Sequence, residues 1–306
     1  MDPAIEVSGL TKRYDERTVV DDVSFTVETG ECFGILGPNG AGKTTTLEMI
    51  EGLRHSDGGS VTVLGSSPWP RNRSLLARMG IQLQASAFIE HLSAIEQLRT
   101  VTDLYDVAAT RADEVLEQVG LTEAVSQDVD ALSGGQRQRL SIACALVHRP
   151  EILFLDEPSA GLDPASRRNL WEVIRSARRD DTTVVLTTHH MDEAEQLCDR
   201  VAIMDRGRIL AVDTPAELVR QLDAPTRLML PPDALVVADA QALAGVDSVE
   251  QDPGALTLIT RHPADVLQLL AELRALDGLQ VRSGTLEDVF ISMTGRQFSS
   301  SDEAPT

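Results

Sequence analysis

Hydrophobic residues along the chain fall into short apolar runs and longer stretches with helical spacing. The apolar runs predict strands, at residues 5–7, 23–27, 32–36, 152–155, 183–187 and 201–204. Helical spacing occurs between two groups of these strands, at residues 92–106, 111–119 and 133–147. The pattern predicts an α/β core with a parallel sheet and a helical subdomain inserted at about residues 85–150.

The pattern changes near Asp223-Ala224-Pro225. The part beyond it predicts strands at 255–260 and 279–282 and helices at 264–276 and 286–294. We therefore expect a first domain over residues 1–222 and a small α+β domain over residues 223–297. Residues 298–306 are polar and predict a disordered tail.

Composition limits the compartment and the partners. No run approaches the roughly 20 apolar residues that cross a bilayer, and the start lacks a basic, apolar leader, so we expect a cytoplasmic protein. The formal charge of -21 disfavours direct binding of nucleic acid or lipid headgroups. The cations are nearly all Arg, which fits adaptation to high salt or a GC-rich genome. Cys32, Cys144 and Cys198 are far apart in sequence and predict buried free thiols.

One segment matches the phosphate-binding loop pattern and lies directly between an apolar strand and a helix. It reads Gly37-Pro38-Asn39-Gly40-Ala41-Gly42-Lys43-Thr44. Glycines let the backbone N–H groups approach phosphates, and the helix N-terminus adds a positive dipole end. We expect Lys43 to neutralise β- and γ-phosphate oxygens, Thr44 to bind Mg²⁺, and Thr45 to make a further phosphate contact.

Two carboxylates, Asp156 and Glu157, end the apolar run 152–155. Beside a phosphate loop, Asp156 is expected to hold Mg²⁺ through water, and Glu157 to polarise the attacking water as a general base. Acids at strand ends are commonly just solvated. The accompanying phosphate loop favours the catalytic interpretation.

A second candidate anion site lies at the start of the helix 133–147. Ser133-Gly134-Gly135-Gln136 combines a capping hydroxyl with free N–H groups. By itself the segment is an ordinary helix cap. Its significance depends on the phosphate loop in the same chain.

The motifs GPNGAGKTT, LSGGQ, ILFLDEP, SAGLDP and TTHHMDEAEQLCDRV occur in the order and spacing of ABC ATPase domains. The chain resembles this family over residues 3–222. The resemblance implies a P-loop NTPase fold with a parallel-sheet core, an antiparallel β subdomain and a helical subdomain. It also implies a head-to-tail homodimer, or a heterodimer with another ATPase, in which the phosphate loop of one copy and the Ser133 segment of the other enclose each ATP.

The same resemblance implies roles for four more residues. Tyr14 stands where the family stacks an aromatic ring on adenine, and Asp163 resembles the acid that contacts the partner copy. Gln84 looks like the glutamine that contacts Mg²⁺ and transmits its state to the helical subdomain, with Gln82 as the alternative. His189 matches the histidine that senses the γ-phosphate. Because every catalytic position of the family is present, the resemblance implies an active ATPase.

The neighbouring His190 raises the question of a metal site. Adjacent side chains on a strand point to opposite faces, so the rings of His189 and His190 are expected to diverge. This argues against a histidine metal site.

Two features favour a transporter motor. Lys43 and Ser133 are too close in sequence to hold the coiled-coil arms of chromosome-structure ATPases, and one phosphate loop excludes the tandem class. The ending 284–295 is similar to that of ATPases from ABC-2 type drug-resistance exporters of the daunorubicin type.

The resemblance therefore implies an ATP-hydrolysing subunit that energises efflux of a hydrophobic drug or antibiotic. A separate membrane permease would hold it at the inner face of the membrane and insert short helices near residues 84–105. Export of a lipid, polysaccharide or ion, and a non-transport ABC module, are the alternatives.

Overall fold

The computed structural model describes residues 3–83, 88–179, 182–222, 224–282 and 284–296. The first compact unit ends at Pro215. Its strands are β1 (Ile5–Tyr14), β2 (Arg17–Val27), β3 (Cys32–Leu36), β4 (Gly58–Val63), β5 (Met79–Gln82), β6 (Ile152–Asp156), β7 (Thr183–Thr188), β8 (Arg200–Asp205) and β9 (Arg208–Asp213). Its helices are α1 (Lys43–Ile50), α2 (Arg73–Leu76), α3 (Ala94–Leu104), α4 (Thr110–Gln118), α5 (Gly134–Leu146), α6 (Pro164–Arg179) and α7 (Met191–Leu197).

Within the described residues, the first unit contains two sheets. The larger has the strand order β5-β6-β7-β3-β8-β9 and is parallel except for its antiparallel edge strand β9. The smaller sheet, β2-β1-β4, is antiparallel. Helices α3, α4 and α5 lie between β5 and β6 in sequence. The predicted parallel core, antiparallel subdomain and helical insertion are confirmed.

The central strands bring the candidate site together. Every position of β3, β6 and β7 is buried, as expected for parallel strands covered on both faces. Leu36 at the end of β3 pairs with Thr188 of β7, and Asp156 at the end of β6 pairs with Thr187. Because the carboxyl ends of these parallel strands meet at one edge, the phosphate loop and the two acids lie side by side.

Several elements of this unit were absent from the sequence prediction. Helix α6 follows Asp163 and buries an apolar stripe at helical spacing, formed by Leu170, Val173, Ile174 and Ala177. That spacing was present in the sequence. Strands β1 and β2 are much longer than the predicted runs 5–7 and 23–27, because charged and hydroxyl side chains interrupt their apolar pattern.

The second compact unit begins at Ala216. Its elements are α8 (Pro215–Gln221), β10 (Thr226–Leu230), α9 (Val237–Gln241), β11 (Ser248–Gln251), β12 (Leu256–Thr260), α10 (Pro263–Glu272), β13 (Gln280–Arg282) and α11 (Leu286–Thr294). Antiparallel strands in the order β11-β12-β10-β13 form its sheet in the described chain, with a core that includes Leu228, Leu258, Val266 and Leu270. This is the predicted α+β arrangement, although β10, β11 and α9 were not predicted.

The division between the units precedes the predicted boundary after residue 222. Helix α8 packs within the second unit, since Val219 and Leu222 lie about 3.5 and 3.6 Å from where a β-carbon on Gly284 would stand. Across the parts of both units that the structure covers, no helix is long and apolar enough to cross a membrane.

Close packing of β5 against α5 leaves no room for a side chain at Gly80, and this can be tested by substitution. A β-carbon at this position would lie 2.2 Å from the carbonyl oxygen of Ala145, which is backbone and cannot turn away. We expect Gly80→Ala to lower the free energy of unfolding by about 1–3 kcal/mol, measured by urea unfolding. Gly58→Ala is the control, because its β-carbon would meet Thr11 at an ordinary 3.6 Å. Equal stability of the two variants would contradict this packing.

Candidate nucleotide-hydrolysis site

The phosphate loop connects β3 to α1 and is packed closely against neighbouring backbone. A β-carbon on Gly37 would lie 2.2 Å from the carbonyl oxygen of Met204, and one on Gly42 would lie 2.6 Å from that of Val19. Gly42 also has a φ of 104°, which disfavours any residue with a side chain. The glycines at these two positions are required by sterics, and they fix the loop ahead of Lys43.

Lys43, the predicted phosphate ligand, contacts protein groups in this structure. Its ammonium donates to the carbonyl oxygens of Gly37 at 2.9 Å and Pro38 at 3.1 Å. It also forms an ion pair with Glu157 Oε1 at 3.0 Å. The side chain is only 4% exposed. A phosphate that binds Lys43 must therefore compete with a buried carboxylate.

Glu157 has a second partner in His189. The distance from His189 Nδ1 to Glu157 Oε2 is 3.1 Å, and Nδ1 is the donor because a carboxylate only accepts. Burial disfavours the charged carboxylate, but the hydrogen bond from His189 and the charge of Lys43 outweigh it and lower the pKa of Glu157 to about 2. Glu157 is thus an anion with little tendency to take up a proton while His189 and Lys43 are its partners.

Asp156 lies among hydroxyl groups. Its Oδ1 accepts from Thr187 at 2.5 Å and from Thr44 at 3.1 Å. Burial raises the pKa of Asp156, and these two hydroxyls only partly offset that effect. Carboxylate and hydroxyl oxygens are the hard donors that Mg²⁺ prefers, so Asp156 and Thr44 fit the predicted ion.

Thr187 connects the two acids and was predicted only as part of a strand. Its hydroxyl donates to Asp156 and accepts from the backbone N–H of Glu157 at 2.9 Å. The side chain is fully buried. A hydroxyl near the end of a largely apolar strand, two residues before His189, was the available signal in the sequence.

The rings of His189 and His190 lie together, with centroids 4.1 Å apart. The prediction that they diverge is wrong, because β7 ends at Thr188 and strand alternation does not apply beyond it. Burial and the positive charges of His189 and Arg167 lower the pKa of His190 to about 4. In the described ranges, no group of three or more His, Cys, Asp or Glu side chains is arranged to hold a metal.

The phosphate loop and Glu157 border a pocket of about 360 Å³. Its described lining consists of Arg17, Val19, Asn39, Gly40, Gly42, Lys43, Thr44, Thr45 and Glu157. Arg17 and Val19 come from β2 and were not predicted. The charged start of β2 weakened its strand signal, so the sequence did not indicate that this strand borders the loop.

Tyr14 is not among the described lining residues. Its ring is 38% exposed, and Lys12 Nζ and Arg54 Cζ each lie 5.5 Å from the ring centroid. Arg54 is in turn paired with Glu48 of α1 at 2.5 Å. The ring is thus flanked by cations, and its stacking on adenine stays a prediction.

The other predicted residues lie at helix starts. Ser133 caps α5, with its hydroxyl accepting from Gln136 N at 3.3 Å and its N–H donating to Gln136 Oε1 at 2.8 Å. Asp163 caps α6 by accepting from the N–H groups of Ala165 and Ser166 at 2.9 and 3.1 Å. Neither segment is in the described lining of the pocket.

Gln84 lies outside the described residues. The alternative, Gln82, is buried at the end of β5, and its Nε2 donates to the carbonyl oxygen of Leu83 at 2.6 Å. Its Oε1 has no hydrogen-bond partner in the part of the chain that the structure covers. The choice between the two glutamines stays open.

Comparison with known proteins agrees with this geometry. The family model described as ABC transporter matches residues 20–160. The linearmycin resistance ATP-binding protein LnrL of Bacillus subtilis (strain 168) is 38% identical, over 95% of this chain and 98% of its own. The daunorubicin/doxorubicin resistance ATP-binding protein DrrA of Streptomyces peucetius is 37% identical, over 95% and 92%. The Nod factor export ATP-binding protein I of Ralstonia nicotianae (strain ATCC BAA-1114 / GMI1000) is 37% identical, over 96% and 95%.

A solved structure described as the ATP-binding subunit of an ABC transporter superposes with a TM-score of 0.64 at 28% identity, over 71% of this chain and 92% of that one. The chain belongs to the ABC transporter ATP-binding proteins. It is an ATPase subunit that energises transport and works with a separate permease.

The position of Thr187 makes a prediction for catalysis. Thr187→Val should lower kcat for ATP about 10- to 100-fold, because Asp156 and the backbone of Glu157 lose the hydroxyl that fixes them. Thr183→Val is the control on the same strand, since its buried hydroxyl accepts from Gly30 N at the far end of β7. Each variant should lose about 1 kcal/mol of stability. An equal fall in kcat for both would contradict a specific role of Thr187.

Proposed function

We propose that this chain is the ATP-hydrolysing motor of an ABC-2 type exporter that drives efflux of a hydrophobic compound through its permease. The names of the relatives support export, since two are resistance proteins for linearmycin and for daunorubicin and doxorubicin, and one serves Nod factor export. A drug or antibiotic is the cargo class that the two resistance proteins favour. The motor would lie at the inner face of the membrane, attached through the permease.

The observation that carries the hydrolytic mechanism is the network of Lys43, Glu157 and His189. Phosphate oxygens of ATP would take the place of Glu157 as the partner of Lys43. Glu157 then loses the nearest positive charge, so its pKa rises and it becomes a better acceptor for a proton from water. His189, at 3.1 Å, keeps the carboxylate oriented. It would also sense the terminal phosphate, as the family resemblance implies. Binding of the substrate would thus release the general base.

Mg²⁺ belongs to the same proposal. Thr44 and Asp156 would hold the ion, which neutralises charge on the phosphate oxygens when it is bound. Thr187 keeps Asp156 oriented toward Thr44 through its own hydrogen bond. Thr45, which also lines the pocket, would add a phosphate contact.

We further propose that a second copy completes each site. The N-terminus of α5 is the positive end of a helix dipole and suits an anion. Apart from its chain neighbours and the backbone of its own helix, no described atom lies within 4 Å of where a β-carbon on Gly134 would stand. The start of this helix therefore has room for the triphosphate held by another copy. Ser133 to Gln136 of one copy would face the phosphate loop of the other, with Asp163 at the contact.

The permease would bind the segment from β5 to the end of α3. Four large apolar side chains there are exposed in the described structure, namely Leu83, Ile89, Leu104 and Tyr105. Leu104 is 78% exposed at the end of a helix, where water contact is unfavourable for so large an apolar group. Short apolar helices of a membrane subunit would cover this surface.

A variant that blocks hydrolysis tests the role of Glu157 and the formation of the dimer together. Glu157→Gln should bind MgATP and lower steady-state ATPase by about 100-fold or more, because the amide cannot take the proton. It should also form a stable dimer with MgATP in light scattering. Wild-type turnover by this variant would contradict the role of Glu157.

A second substitution separates the two halves of the site. Ser133→Arg in the Glu157→Gln background should remain monomeric with MgATP, since the side chain fills the space for the partner's nucleotide. Thr285→Arg is the control, because Thr285 caps α11 with the same box geometry in the second unit. Dimerisation of the Ser133 variant would contradict the shared site.

The exposed apolar segment predicts uncoupling. Ile89→Glu and Leu104→Glu should leave ATPase of the isolated subunit within about twofold of wild type, since both side chains are exposed. Both should abolish co-purification with the permease and transport in cells. Leu210→Glu, at a 40% exposed leucine on β9, is the control. Transport at the wild-type level would contradict this docking surface.

A further inference from the structure

A buried carboxylate outside the nucleotide pocket joins three parts of the catalytic unit. Glu193, in the first turn of α7, is fully buried. Its Oε1 accepts from the indole Nε1 of Trp171 in α6 at 3.2 Å. The hydroxyls of Thr188 and Ser159 also face this carboxylate. Burial raises the pKa of Glu193, and these three groups partly offset that effect.

The Ser159 hydroxyl lies near the Glu193 carboxylate, but two polar atoms at this place lack a well-aligned hydrogen bond. Ser159 Oγ and Glu193 Oε2 are both fully buried, and neither has a partner of suitable geometry in the described structure. Unpaired buried polar atoms are rare in folded proteins and call for an explanation. One atom is a hydroxyl donor and the other a carboxylate acceptor, so the two are chemically complementary. A small movement of one segment would let them pair.

The segments that meet here all lead to the proposed site. Ser159 follows Glu157 by two residues, and Thr188 directly precedes His189. Trp171 lies in α6, which starts directly after Asp163. A change at Glu193 would therefore alter the positions of the proposed general base, the proposed γ-phosphate sensor and the loop proposed to contact the partner copy.

We propose that Glu193 is a positioning residue, and that ATP-driven closure forms a hydrogen bond from the Ser159 hydroxyl to Glu193 Oε2. This bond would hold the segment between Glu157 and Asp163 against α7, which begins two residues after His189. Nucleotide sensing and the contact with the partner copy then change together. The inference rests on the proposed ATP-bound dimer.

Ser159→Ala tests the proposal most directly. Because the hydroxyl has no well-aligned partner in this structure, its removal should leave the melting temperature unchanged or raised. A purely structural role therefore predicts normal turnover. We expect kcat to fall about tenfold while KM for ATP changes less than about twofold, since only the closed state loses a bond.

Two substitutions at Glu193 extend the test. Glu193→Leu should lower kcat by a similar factor. Glu193→Gln should keep at least about half of it, because the amide oxygen can still accept from Trp171 and the amide NH2 can donate to the Ser159 hydroxyl oxygen. In the double variant Ser159→Ala/Glu193→Leu, the loss should equal that of the larger single effect, as for two ends of one bond. Glu195→Gln, an exposed position on the same helix, is the control and should turn over normally.

Trp171 gives a spectroscopic readout. The chain has two tryptophans, so Trp69→Phe leaves Trp171 as the only indole. In the Glu157→Gln background, MgATP should change the Trp171 emission, and Ser159→Ala should abolish that change. If Ser159→Ala keeps a normal kcat and a normal MgATP-induced change in Trp171 emission, this inference is overturned. The proposed ATP hydrolysis and dimerisation of the wild type are not affected by that result. A Glu157→Gln protein that stays monomeric with MgATP would overturn the dimer proposal, and this inference with it.

Discussion

Lys43 and Glu157 are opposite charges held 3.0 Å apart at a nearly buried position. Charges in such a place must be paired, because an isolated one would carry a large desolvation cost. ATP brings its own negative charge and so replaces one partner by another without leaving Lys43 unpaired. In the proposed mechanism, the carboxylate that ATP displaces, Glu157, is the group that activates water. In this proposal, substrate binding separates Lys43 from Glu157 and thereby activates Glu157 as the base.

The exchange depends on the register of three parallel strands. Leu36 pairs with Thr188, and Asp156 pairs with Thr187, so β3, β6 and β7 end at the same edge of the sheet. Thr187 then bridges Asp156 and the backbone of Glu157, and His189 follows at the strand end. The strands place these groups. Ser159 and Asp163 lie in the connection between β6 and α6, and Glu193 lies in the short helix α7.

Local motifs made the phosphate loop and the two acids predictable from sequence, because each combines a fixed spacing with a strand and a helix. Thr187, Arg17 and Glu193 were missed, since their roles arise from contacts between distant segments. The prediction that the rings of His189 and His190 diverge was wrong, because strand alternation was applied beyond Thr188, where β7 ends. Short elements such as β11, whose side chains are mostly exposed, carried too little apolar pattern to be recognised in the second unit.

Binding of MgADP measures the exchange of partners most directly, because ADP is not consumed. If Glu157 competes with phosphate for Lys43, calorimetry should show Glu157→Gln binding MgADP about tenfold more tightly than wild type, a difference of about 1.4 kcal/mol. Glu48→Gln on α1 removes a carboxylate that pairs with Arg54 instead, and it should leave the affinity unchanged. Equal affinity of wild type and Glu157→Gln would contradict the account.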